Sequence, residues 1–313
     1  MTLDWARLTL RLHRFELFAF GAAIVTLVLA AFASSAYFDS LRPESGCYAI
    51  TETLSPTCEA AFRRFDDARQ LGSLLLAPLL AVTYAIGLFL GVPTIARELE
   101  RGTVRLAWSL TPSRWRWYVA RVVPILVVLA ILTFVAGVAA DRLFAASTPG
   151  QDVSKSFDAY GTRGGLLASR AVFIFAVSVV VGSFIGRALP AVIIAALIAA
   201  IGLAGGIQVH HKILQGEAVA NPMDPNGNVA SRPGDMFIDQ KFVLPDGTLS
   251  REGSFNGSDP YDQNGNPLYP MVSMVIPGER YRFVETREAL VLAGGSLVGL
   301  VLAGFVVSKR RPD

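Results

Sequence analysis

Six apolar runs, each close to the length of a bilayer crossing, constrain this chain more than any other feature. They fall at 15–36, 71–96, 118–140, 166–186, 188–208 and 288–307, and each is free of charge through its middle. A spanning helix needs about 20 apolar residues, because backbone N–H and C=O groups in hydrocarbon must be satisfied within the segment. Only 17% of the 313 residues are charged, well below the roughly 25% of soluble domains. The first run has a basic start and small residues near its end, as a signal peptide does. Its length of about 20 residues exceeds the 7–15 of a signal core, so it is expected to stay as a span. The fourth and fifth runs are separated only by a short turn around Gly186, Arg187 and Pro190, which makes them a helical hairpin.

Orientation follows from the distribution of Lys and Arg, since the net charge of +3 says little. Basic residues crowd the N-terminal segment (Arg7, Arg11, Arg14), the connection after the second run (Arg97, Arg101, Arg105, Arg114, Arg116), the fourth-to-fifth turn (Arg187) and the tail (Lys309, Arg310, Arg311). The remaining connections are longer and mixed in sign. Positive charge stays on the cytoplasmic side, so both termini are expected there. Cys47 and Cys58 then share the first outside loop, where an oxidising compartment favours a disulfide; two free thiols are the alternative.

The expected fold is an all-α polytopic membrane protein with six transmembrane helices and a small irregular, β-containing extracytoplasmic subdomain before the last. Residues 1–14 form an amphipathic interfacial helix, or else a basic flank that only orients the first span; the two are compatible. Residues 15–208 carry helices one to five, with a cytoplasmic region at 97–117. Within the first outside loop a short helix is expected at Glu59–Gln70. The 141–165 connection reads as a loop with about one helical turn. Residues 209–287 are the outside subdomain, and 288–313 the last helix and basic tail. In that subdomain the run Asp235–Leu244, followed by Pro245-Asp246-Gly247-Thr248, predicts a β-hairpin. Two Asp-x-Asn-x-Asn stretches, at 224–228 and 262–266, lack the Gly and Glu of a calcium loop and read as turns. Asn256-Gly257-Ser258 fits a glycosylation sequon that arises often by chance.

Chemical centres are missing. No G-x-x-x-x-G-K-[ST], H-E-x-x-H or G-x-S-x-G occurs, so neither a phosphate cradle nor those hydrolytic sites are present. The adjacent His210 and His211 point in different directions on a helix and make a poor metal site. The charges nearest the spans, Glu16, Asp141, Arg142, Arg170 and Arg187, all sit close to predicted ends. Ion-coupled transporters place ionisable groups within their spans, so an external motor is the expected energy source.

The most informative stretch is 91–121. A charged exit from the second span (Glu98, Arg101) meets a Gly102-Thr103 break, with Gly102 suited to stop one helix and Thr103 to cap the next. A short amphipathic helix follows, comprising Val104, Arg105, Leu106, Ala107, Trp108, Ser109 and Leu110. Pro112, Ser113 and Arg114 then turn into the third span, where Trp115, Trp117 and Tyr118 suit a membrane interface. A plain basic loop with interfacial aromatics is the bland alternative.

This stretch resembles the second-to-third-span connection of type-2 ATP-binding-cassette (ABC) exporter permeases, through Glu98, Gly102, Thr103, Leu106, Pro112, Ser113 and Arg114. The six-span plan is similar too, and Arg280-Tyr281-Arg282-Phe283-Val284-Glu285 looks like actinobacterial members. The long 209–287 segment departs from the family. The resemblance implies that Val104–Leu110 is a coupling helix seated in a separate ATPase subunit, with Glu98, Arg101, Gly102 and Thr103 bracing the gate helix beside it. It implies two ATPase copies, a second permease chain as homo- or heterodimer, and a bacterial plasma membrane. No cofactor is expected on this chain, ATP and Mg belonging to the ATPase, and no nucleic acid partner. The competing classes are a secondary transporter and a membrane-anchored sensor or scaffold whose outside loop binds a ligand.

Overall fold

The computed structural model describes residues 2–44, 47, 55–109, 111, 113–222, 233–250 and 268–310. The two Asp-x-Asn-x-Asn stretches, the sequon, Leu110 and Pro112 lie outside them. Among the described residues six helices are long and apolar enough to cross a membrane. The chain divides into two compact units: one formed by 1–150, 159–203 and 285–313, the other by 151–158 and 204–284.

In the first unit, α1 (Thr2–Leu12) leads through His13 into α2 (Arg14–Leu41). Then come α3 (Pro56–Ser73), α4 (Leu76–Glu100), α5 (Val104–Ser109), α6 (Arg114–Ser147) and α7 (Gly164–Ile185). The long helices α8 (Ala188–Glu217) and α9 (Tyr281–Lys309) contribute their segments 188–203 and 285–309. Several helices outrun the apolar windows. The 141–165 connection is correspondingly shorter than expected, because α6 continues to Ser147. Its helical turn is a single 3-10 turn at Val153–Lys155. A disulfide joins Cys47 to Cys58, whose Cα atoms are 5.4 Å apart.

Helices α4 and α7 form the centre. Of their most apolar windows 61% and 67% are buried, against 17% for α2 and for α8. Small residues bring the pair together. A Cβ on Gly87 would lie 2.7 Å from the Ala171 carbonyl, and one on Gly91 2.8 Å from that of Phe175. Between membrane helices lipid is as apolar as Leu, so close backbone approach through a Gly-x-x-x-Gly spacing is what dispersion rewards. Large side chains such as Phe18, Leu29, Ile193, Leu197, Leu290 and Leu297 stay on the outside of the unit, where acyl chains would cover them.

The second unit carries an antiparallel three-stranded sheet in the order β1-β3-β2, with β1 Val219–Pro222, β2 Met236–Phe242 and β3 Met271–Ile276. The turn expected after Leu244 is present, closed by Leu244 N–H donating to the Thr248 carbonyl and Ser250 N–H to the Phe242 carbonyl, each at 2.8 Å, with an antiparallel bridge between Val243 and Leu249. The main partner of β2 is β3, about thirty residues away, and β3 buries Ser273–Ile276. Asp235 anchors the far end by accepting from Gly278 N–H at 2.8 Å.

Candidate functional site

One end of the first unit gathers the termini of seven helices. Arg97, at the end of α4, pairs with Glu16 at the start of α2 (2.6 Å). Thr9 on α1 donates to the Ala120 carbonyl of α6 (3.2 Å). Glu100 accepts from Ala188 N–H at the start of α8 (3.0 Å). Arg114 donates to the carbonyls of Ser308 (3.2 Å) and Arg310 (2.7 Å), and Arg310 in turn to that of Ser183 (2.7 Å). Last-turn carbonyls lack intrahelical donors, and these guanidinium groups supply them. We call this the basic end.

Helix α5 lies at this end, between α4 and α6. Gly102 ends α4 with a left-handed φ of +68°, a conformation L side chains adopt only with strain. The Thr103 hydroxyl donates back to the Glu98 carbonyl (3.4 Å), and its own carbonyl accepts from Ala107 N–H (3.1 Å). Val104 is buried, Ala107 and Trp108 are half-buried, and Leu106 and Ser109 are exposed. Trp108 therefore faces inward. Its ring meets Trp117 edge-on at 6.1 Å, and Arg114 lies over it at 4.3 Å. Leu106, 67% exposed, is the apolar residue α5 presents outward. Trp117 and Tyr118 are buried within the protein, the Tyr118 hydroxyl donating to the Leu300 carbonyl (2.7 Å). Trp115 is exposed.

Beneath α5, Glu98 and Arg121 form a side-chain ion pair at 2.8 Å, with Arg121 6% exposed. Arg101 has no ion-pair partner among the described residues. A groove of about 350 Å³ opens here. Its α1 wall carries Leu8 and Leu12, with His13 at its foot. Its α4 wall carries Pro93, Arg97, Glu98 and Arg101, and Leu106 and Arg121 close it. His13 is buried, and that desolvation pushes its imidazole below the usual histidine pKa, against the pull of Glu16; Arg97 and Arg121 add to the lowering.

The opposite end of the unit holds a second set of buried charges. Arg170 on α7 reaches Glu288 on α9 through Nε (3.1 Å) and Nη2 (2.7 Å), and Tyr160 donates to the other Glu288 oxygen (2.8 Å). Arg163, 1% exposed, pairs with Asp141 (3.0 Å). The expectation that the spans contain no buried ionisable groups is thus corrected at both ends. Arg121 and Arg170 fall just inside the apolar windows, and that placement was the sequence signal for them. Each is tolerated there because its charge is paired. Among the described residues no group of three His, Cys, Asp or Glu is placed to hold a metal.

A bundle of six bilayer-length helices, with charge confined to its two ends and an amphipathic turn of helix held at the basic one, defines a multi-pass membrane protein. The family model "ABC-2 membrane transporter related" matches residues 17–209. The chain belongs to that family. No curated protein and no solved structure matches it.

Proposed function

We propose that this chain is the membrane-spanning subunit of an ABC exporter, moving its substrate outward on ATP hydrolysed by a separate subunit docked at the basic end. The observation that carries this reading is α5, a rigidly seated helix whose outward face offers Leu106. An exposed apolar residue beside a basic rim suits a protein partner that covers it. In this reading Val104, Ala107 and Trp108 hold the helix in place, whereas Leu106 makes the contact, with Ser109 beside it. Glu98 transmits the movement to α6 through Arg121. Both termini are cytoplasmic, consistent with the arginine density at the basic end. A pair of such chains works with two ATPases. The sparsely buried faces of α8 and α9 leave room for the second chain.

The test is co-elution of the ATPase subunit with Leu106→Asp in detergent, with Lys241→Gln as control. Loss of the partner in the first and retention in the second is the expected result. Full binding and full ATPase stimulation with Leu106→Asp would exclude α5 as the contact.

A further inference from the structure

We infer that the groove bounded by α1, α4, α5 and α6 binds the headgroup of an anionic phospholipid. Three independent observations meet there. The first is charge. Arg97 and Arg121 are neutralised by Glu16 and Glu98, but Arg101 has no carboxylate partner among the described residues, which leaves the groove one positive charge in excess.

The second is unsatisfied hydrogen bonding. Among the described residues His13 Nδ1 and Arg121 Nε are buried without a hydrogen-bond partner, in residues only 6% and 5% exposed, and both residues line the groove. Buried polar groups are nearly always paired, and an orphan carries the full desolvation cost. A phosphodiester offers acceptor oxygens to Arg121 Nε–H, to the Arg101 guanidinium, and to His13 Nδ1 when that nitrogen carries the imidazole proton.

The third is the rim. Leu8 and Leu12 are 43% and 52% exposed on α1, apolar surface that a glycerol backbone and the first methylenes of an acyl chain would cover. A free inorganic anion has no use for it. Arg7, Arg11 and Arg14, exposed on or just after the same helix, add attraction to an anionic leaflet. The inference stands on these residues and does not depend on the ATPase.

The experiment uses the delipidated full-length chain, titrated with dioleoyl phosphatidylglycerol or dioleoyl phosphatidylcholine and followed by native mass spectrometry. Arg101→Gln is the informative variant, because Arg101 is exposed and its loss breaks no ion pair of the fold. Phosphatidylglycerol should bind in preference to phosphatidylcholine. Arg101→Gln should weaken that binding about tenfold, the worth of one charge-assisted hydrogen bond. Arg101→Lys should restore most of it, and 10 mM inorganic phosphate should not displace the lipid. Equal binding of the two lipids overturns the inference, as does an Arg101→Gln chain with unchanged lipid affinity. Displacement by inorganic phosphate overturns it in favour of a free-anion site. Loss of ATPase co-elution with lipid affinity intact overturns it in favour of a protein contact.

Discussion

Glu98 and Arg121 meet at 2.8 Å, the last turn of α4 against the first turns of α6, with 18% and 6% of their side chains exposed. Removing one partner of such a pair strands the other charge away from water, which costs about 3 kcal/mol or more. Glu98→Gln is therefore expected to lower the apparent Tm in detergent by several degrees. Arg101→Gln, one turn further and unpaired, should leave it unchanged. Tryptophan fluorescence during a thermal ramp makes the measurement, and equal Tm values for all three chains would contradict the pairing.

Gly91 touches the α7 backbone at Phe175. A leucine there has no flexible neighbour to displace, since the obstructing atoms are Ser178 Cβ and the Phe175 main chain. Gly91→Leu is expected to separate α4 from α7 and abolish a monodisperse size-exclusion peak. Gly21→Leu, with open space around its Cα, should be neutral. A well-behaved Gly91→Leu protein would mean the helices do not approach so closely.

Arg170 and Glu288 tie α7 to α9 at the end opposite α5, with Tyr160 completing the carboxylate's hydrogen bonds. Arg170→Ala is expected to destabilise by about 3 kcal/mol through the stranded Glu288. Tyr160→Phe should cost about 2 kcal/mol, the loss of one hydrogen bond to a charged group. Reversal of that order in thermal or chemical unfolding would count against the network as described.

Burial depresses the His13 pKa, so folding favours the neutral imidazole. The stability this confers is complete above the unfolded histidine value near 6.5 and is lost progressively as pH falls from there towards the lowered folded value. Between pH 7.5 and 5.5 the wild-type Tm should fall more than that of His13→Gln. Parallel curves would show that His13 does not titrate on unfolding.

Leu106 is exposed and Trp108 half-buried although they sit two residues apart, and the proposed docking at α5 separates their effects. Leu106→Asp should release the ATPase without changing Tm. Trp108→Ala should lower Tm by removing the contacts with Trp117 and Arg114, each on the order of 1 kcal/mol, and weaken the ATPase only indirectly. Limited proteolysis near 103–111 reports the second effect, and a resistant Trp108→Ala chain would argue against Trp108 as the seat of α5.

Apolar run length by itself determined the six helices, because a bilayer leaves a segment no other way to satisfy its backbone. The break at Gly102-Thr103 and the turn at Ser113 delimited α5 almost to the residue, since local conformation and capping set such boundaries. Ser113 caps α6 by accepting from Arg116 N–H at 3.2 Å. What the sequence could not reveal is which side of each element faces a neighbour. Trp108, Trp117 and Tyr118 have an interfacial composition, yet two are buried and one half-buried, because packing of α5, α6 and α9 claims those rings. The partners Glu98 with Arg121 and Arg170 with Glu288 lie 23 and 118 residues apart, and no local rule joins them. The role of β3 as central strand has the same origin. Pairing across a sheet and pairing of buried charge are long-range choices, made by the tertiary structure.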